Sequence, residues 1–175
     1  METATAASAR IHRVNSLEEA FQSTLDLCKS ATNSEQSMIA APEFEESEFA
    51  RFQGLAKDKG VTLIKERLRD HANGIAIGFT RADLGIAETG TLVVSSNSED
   101  LRLATMVSDI HVAVVKMSDI GACALDMADK IRALTTNPSS YTAFITGPSR
   151  TADIERVLAI GVHGPLELHI MLLEK

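Results

Sequence analysis

The chain has 175 residues, of which 45% are apolar and 23% charged, and a formal net charge of −7. That length suits one domain with an added arm, and the apolar share is enough for a core, which excludes wholesale disorder. The acidic balance, with no Lys/Arg stripe, excludes the basic footprint that a phosphate backbone requires, so nucleic acid is not an expected partner.

Residues 1–14 are small and polar and are expected to form a flexible tail. Ser16 then opens a helix. Ser16 and Glu19 have capping-box spacing, and Leu17, Ala20, Phe21, Thr24, Leu25 and Cys28 follow as one apolar stripe. The polar stretch at residues 30–37 reads as a link, so residues 15–45 are expected to be a helical arm and linker ahead of an α/β domain at 46–175. A second helix is expected from Ser47 to Gly60. The acids Glu43, Glu45, Glu46 and Glu48 read as its solvated entrance.

After Gly60 the pattern changes to short β-branched or aliphatic runs, at residues 61–64, 74–79, 91–95, 110–115, 141–146 and 166–173. Candidate helices lie between them, near residues 65–72, 100–108, 118–135 and 152–160. Continuous apolar strands alternating with helices imply a mostly parallel sheet covered on both faces. With no Trp and one Tyr, the core is expected to be built of Val, Ile, Leu and Ala. His111 and His169 fall within apolar runs and read as packed or edge residues; His12 and His71 carry no signal.

Cys28 and Cys123 are far apart, and no Cys-x-x-Cys or His-Glu-x-x-His string occurs. The chain thus offers no zinc or iron–sulfur motif of its own. Its apolar runs are far below the roughly 20 residues of a membrane span, and METATAASAR lacks the apolar core of a signal peptide, so the expected location is the cytoplasm.

Three loops at strand ends carry candidate chemistry. In DLGIAETGT (residues 83–91), Thr89, Gly90 and Thr91 form a turn whose amides and hydroxyls suit an anion. No Lys follows and a strand comes next, so a nucleotide-binding loop is excluded. Glu88 beside it is a candidate base or nucleophile, the alternative being a carboxylate that orders a neighbouring loop. In GPSRTADIE (residues 147–155), Gly147 turns the chain and Ser149 or Thr151 is placed to cap a following helix. Asp153 would complement that helix's dipole, and Arg150 would grip a carboxylate or phosphate. Helix capping alone explains all of these except Arg150. A serine-hydrolase elbow fails where Thr151 stands. In GVHGP (residues 161–165), His163 sits between glycines as a candidate acid, base or donor, with a structural hydrogen bond as the alternative, and Gly164 precedes the turn into the last strand.

The strings ADLGIAETGTLVV, DIHVAVV, ITGPSRTADIE and GVHGPLELHIMLL, in this order and spacing, resemble the LUD-domain family (lactate-utilisation protein C-like). The resemblance covers roughly residues 75–173. It implies a Rossmann-like three-layer α/β fold similar to the sugar-phosphate isomerase and CoA-transferase group. It further implies a non-redox subunit or accessory protein of a bacterial system oxidising L-lactate to pyruvate. Iron–sulfur clusters would then reside in partner subunits and no cofactor in this chain. The matching positions make Glu88 and His163 the catalytic candidates, with Thr89, Gly90, Thr91, Gly147, Ser149, Arg150, Thr151, Asp153 and Gly164 as ligand-binding candidates. CoA-transferase relatives use a glutamate nucleophile, but fold analogy alone does not carry that role to Glu88. The alternative function is a stand-alone small-molecule enzyme or anion-binding module, and self-association is compatible with either reading.

Overall fold

A computed structural model describes residues 2–31, 37–136, 141–151, 159–160 and 164–174. Six strands form one wholly parallel sheet: β1 (Arg10–Val14), β2 (Met38–Ala40), β3 (Thr62–Ile64), β4 (Ile75–Arg81), β7 (Ile110–Lys116) and β12 (Glu167–Leu173). Their order is β1-β12-β7-β4-β2-β3. The three central strands β12, β7 and β4 are buried almost throughout, as their unbroken apolar runs require when both faces are covered. The edge strands β1 and β3 are partly exposed.

Helices α2 (Leu17–Ala31) and α3 (Glu46–Asp58) cover one face. Ser16 Oγ accepts the Glu19 amide at 3.1 Å, as the capping spacing predicts. The Glu19 carboxylate reaches one residue further back than expected, accepting the Asn15 amide at 2.7 Å. The core beneath is not purely aliphatic. Four of the six phenylalanines, Phe21, Phe44, Phe52 and Phe79, form one cluster with ring centroids 4.5–5.8 Å apart. A low aromatic content thus conceals an aromatic centre, because the few rings present are concentrated.

The other face carries α1 (Glu2–Ala6), α4 (Glu99–Met106) and a second sheet. That sheet comprises β5 (Leu84–Ile86), β6 (Thr91–Ser95), β8 (Ile120–Gly121) and β9 (Thr142–Ile145), in the order β8-β5-β6-β9. Helix α5 (Ala128–Leu134) packs on its outer side through Ile131 and Leu134.

Several expectations are corrected. Residues 10–14, assigned to a flexible tail, pair with β12 as an edge strand. Residues 15–45 are not a separate arm: α2 buries Phe21, Leu25 and Cys28 in the main core, and β2 lies inside the sheet. The helix expected near 65–72 is only a 3₁₀ turn at Leu68–His71, because Asp100 captures the Arg67 and Leu68 amides. The helix expected at 118–135 shrinks to α5, since Ile120 and Gly121 pair with β5. Arg150–Thr151 (β10) pairs antiparallel with Ala159–Ile160 (β11), so neither end of the 147–160 stretch is helical; residues 152–158 lie outside the described set. Among the described residues, no helix is long and apolar enough to cross a membrane.

Candidate functional site

The hairpin of β5 and β6 pairs Leu84 with Val93 and presents residues 87–90 at its turn. Gly90 has φ +65°, and a Cβ there would lie 2.4 Å from the Ala4 Cα. Gly147, after β9, has φ +71°, and its Cβ would lie 2.2 Å from the Ala7 carbonyl oxygen. Both glycines are therefore demanded twice, by a left-handed backbone and by the approach of α1 and the turn that follows it. Thr3 Oγ1 donates to the Ala87 carbonyl at 2.5 Å, and Arg150 donates to the Ala7 carbonyl at 3.3 Å and to Ser8 Oγ. The first loop meets the second through a row of hydroxyls, Thr89–Thr91–Thr146, with 2.7 Å at each step.

The second and third loops touch directly. The Ser149 amide donates to the Pro165 carbonyl at 2.9 Å, and a Cβ on Gly164 would stand 3.0 Å from the Ser149 Cβ. Beneath them opens a cleft of about 310 Å³, within the usual range for small-molecule sites. Gly147, Pro148, Ser149, Gly164 and Pro165 form one rim, α4 contributes Arg102, Thr105 and Met106, and His111 and Leu168 line it from the main sheet. Tyr141 and Phe144, both more than half exposed, stand at its mouth.

Three of the anticipated residues, Gly147, Ser149 and Gly164, thus share this cleft. Gly90 and Thr91 instead line a smaller hollow of about 70 Å³ closed by Thr3 and Ala4. Glu88 is exposed, its amide donates to the Ala122 carbonyl at 2.9 Å, and it lines neither space. Arg150 is exposed and engaged with residues 7 and 8. His163, Asp153 and the side chain of Thr151 lie outside the described residues. If Glu88 has no chemical role, Glu88→Gln should change neither the melting temperature nor any ligand affinity, as expected for an exposed surface carboxylate; a loss of affinity in a titration would restore it to the site.

Sequence reasoning missed Ser96, Arg102 and His111. Ser96 follows β6, is 1% exposed, and its hydroxyl has no hydrogen-bond partner among the described residues. Arg102 donates twice from Nη1, to the Ser96 carbonyl at 2.8 Å and the Asn97 carbonyl at 3.1 Å, and forms no ion pair among the described residues. His111 had a visible signal, a polar residue inside an apolar strand. It is 1% exposed, Nε2 lies 2.8 Å from Thr80 Oγ1, and burial holds its pKa down at about 4.

His111 is therefore neutral in the fold at pH 7, while its unfolded value is near 6.5. The stability this preserves is fully present above pH 6.5 and is lost as pH falls toward 4, because the unfolded chain takes the proton first. The full change is about 3 kcal/mol, read as the difference between urea unfolding curves of wild type and His111→Gln at pH 7.5 and pH 4.5. Parallel pH dependence in the two proteins would contradict it.

A second histidine cluster ties β1 to β12 on the opposite face. His12 Nε2 lies 3.0 Å from His169 Nδ1, His169 Nε2 lies 2.9 Å from Glu167, and Glu167 pairs with Arg10 at 3.0 Å. Burial, then the neighbouring His169 and Arg10, lowers the pKa of His12 below its ordinary value. His12 carried no sequence signal because its partner is 157 positions away. Among the described residues, no three His, Cys, Asp or Glu side chains group as metal ligands.

The family model described as LUD domain matches residues 1–173. The chain belongs to the LUD-domain family. This LUD domain is 36% identical over 114 residues to Lactate utilization protein C of Bacillus subtilis, an overlap of 63% of this chain and 45% of that protein. It is 37% identical over 94 residues to Lactate utilization protein C of Shouchella clausii, covering 52% of this chain and 41% of that one. The LUD domain thus spans less than half the length of these curated relatives. Its fold is similar to the crystal structure of a DUF162 family protein from Deinococcus radiodurans, with a TM-score of 0.65 at 15% identity. That match covers 98% of this chain and 92% of the other.

Proposed function

We propose that this LUD domain serves lactate utilisation as a non-redox subunit of a bacterial system that oxidises L-lactate to pyruvate, with the iron–sulfur clusters carried by partner subunits. The observation that carries this reading is the similarity to Lactate utilization protein C in two organisms at 36% and 37% identity. The chain supplies only two cysteines, so electron transfer through clusters falls to other chains under this reading. Tagged protein purified from its own host should bring down iron–sulfur subunits, and the complex should reduce an artificial acceptor with L-lactate while the isolated chain does not. Acceptor reduction by the isolated chain, or a pull-down free of iron–sulfur proteins, would overturn it.

The second reading, a small-molecule enzyme or anion-binding module, is favoured by one observation: Arg102, which lines the cleft beneath the Gly147–Pro148–Ser149 turn, forms no ion pair with a carboxylate among the described residues. The two readings are compatible, since a subunit can hold a ligand for the assembly to process.

A further inference from the structure

We infer that the crevice at the carboxyl end of β4, β7 and β12 binds a small zwitterion, an α-amino acid with an apolar side chain. Arg81 and Lys116 take its carboxylate, and Asp83 and Asp119 its ammonium group. The site is separate from the cleft beneath the 147–149 turn, and it does not depend on which subunits assemble with the chain.

Position comes first. In open α/β sheets, ligands lie in the crevice outside the carboxyl ends of the strands, where neighbouring connections part to opposite faces. The cleft beneath the 147–149 turn is at the other end of the sheet, since His111 and Leu168 are each the second residue of their strand. The carboxyl end has its own hollow of about 280 Å³, lined by Arg81, Lys116 and Leu173, the last residues of β4, β7 and β12. The adjacent strands β4 and β2 send the chain to opposite faces, into β5 and α3, so the connections part beside Arg81.

Charge comes second. Asp83, just after β4, and Asp119, just after β7, line the same hollow, so it carries two cations and two carboxylates. Opposite charges on one wall ordinarily pair, yet no salt bridge joins either cation to either carboxylate, and Lys116 forms no ion pair among the described residues. Arg81 is held from behind. Its Nη2 donates to Glu48 at 2.6 Å, and its guanidinium lies 5.0 Å from the centroid of the Phe44 ring. One Asp83 oxygen accepts the Ser95 amide at 2.6 Å, which fixes that carboxylate. Asp119 meets Lys130 only at 3.9 Å. The hollow therefore presents one anchored group of each sign, together with an unpaired cation and a loosely paired carboxylate.

Those signs select the ligand. A simple anion would gain the two cations but face two carboxylates, and a simple cation would meet the reverse. A phosphate, with more charge than a carboxylate, fares worse against the same acids. An α-amino acid carries both charges on one carbon and answers both sets at once. Val114 and Leu173 are buried and make the rest of the wall apolar, which suits an aliphatic side chain.

The test is calorimetric titration of the full chain with L-leucine and its two halves: isocaproate, which lacks the ammonium group, and isoamylamine, which lacks the carboxylate. Amide shifts in NMR spectra should place binding at residues 81–83 and 114–119. L-Leucine should bind about tenfold more tightly than either half, the value of one charge-assisted hydrogen bond. Lys116→Gln should weaken L-leucine binding about tenfold and leave the melting temperature unchanged, because an exposed lysine without an ion pair adds little to stability. Lys116→Glu should reverse the order and make isoamylamine the tighter ligand, which a purely structural lysine would not do. Equal affinity for L-leucine and isocaproate, an unchanged order in Lys116→Glu, shifts confined to the 147–149 cleft, or no saturable binding would each overturn the inference. None of these outcomes bears on the pull-down of iron–sulfur subunits, so the two readings fall independently.

Discussion

Phe79→Ala is expected to lower the free energy of unfolding by about 4 kcal/mol, in the range for deleting a buried aromatic ring. Phe79 is fully buried on β4 and meets three other rings: Phe44 stacked at 5.0 Å, and Phe21 and Phe52 edge-on at 5.3 and 5.8 Å. Those rings belong to α2, α3 and the turn before α3, so the void cannot close unless several elements move together. For a chain of this length such a loss lowers the melting temperature by roughly 8–16 °C. Phe144→Ala is the control. Its ring is 55% exposed, and the change should cost no more than about 0.5 kcal/mol. Denaturant unfolding of the two variants checks the pair, and similar losses in both would mean that the aromatic centre is not where stability resides.

Gly78→Ala is the second large effect, and it acts by excess rather than by void. A Cβ at Gly78 would lie 1.9 Å from the Ala104 carbonyl oxygen and 2.8 Å from its carbon, both backbone atoms of α4. No side-chain rotation relieves that clash, so α4 must shift away from β4. Overpacking of this kind costs on the order of 3 kcal/mol. The shift also carries Arg102, Thr105 and Met106, so the cleft changes shape as stability falls. Unfolding curves joined to amide shifts of the cleft residues in NMR spectra test both parts. An unchanged melting temperature would show that α4 gives way more easily than its contact with Gly78 and Ser108 suggests.

The central sheet was legible because β4, β7 and β12 are buried on both faces and so read as continuous apolar runs. β1 was not. Its sequence, RIHRV, looks like a polar tail until Arg10 and His12 meet Glu167 and His169, which no local pattern can show. The helix expected over residues 118–135 failed for a related reason: Ile120 and Gly121 have sheet partners at Gly85 and Ile86, and that pairing overrides local helical spacing. In the site, Gly147, Ser149 and Gly164 could be singled out because glycine, proline and serine mark turns. They share one rim, whereas Gly90 and Thr91 of the first loop line a different hollow, and the residues that give the cleft its polarity were not singled out. Ser96 and Arg102 look like ordinary linker and helix residues, and only packing leaves one without a partner and fixes the other beside it.

The position of β1 also governs the order in which the molecule can be completed. Within the six-stranded sheet its only neighbour is β12, so Arg10 waits for a partner strand 157 positions later in the chain. During synthesis residues 10–14 emerge well before residues 167–173 and stay unmatched until those arrive. Through that interval β7 has β4 on one side and an open edge on the other. Closure of so long a loop is slow, and an open apolar edge is the feature by which nascent chains associate wrongly. Ribosome-bound chains should therefore gain resistance to proteolysis abruptly when β12 emerges, rather than gradually along their length.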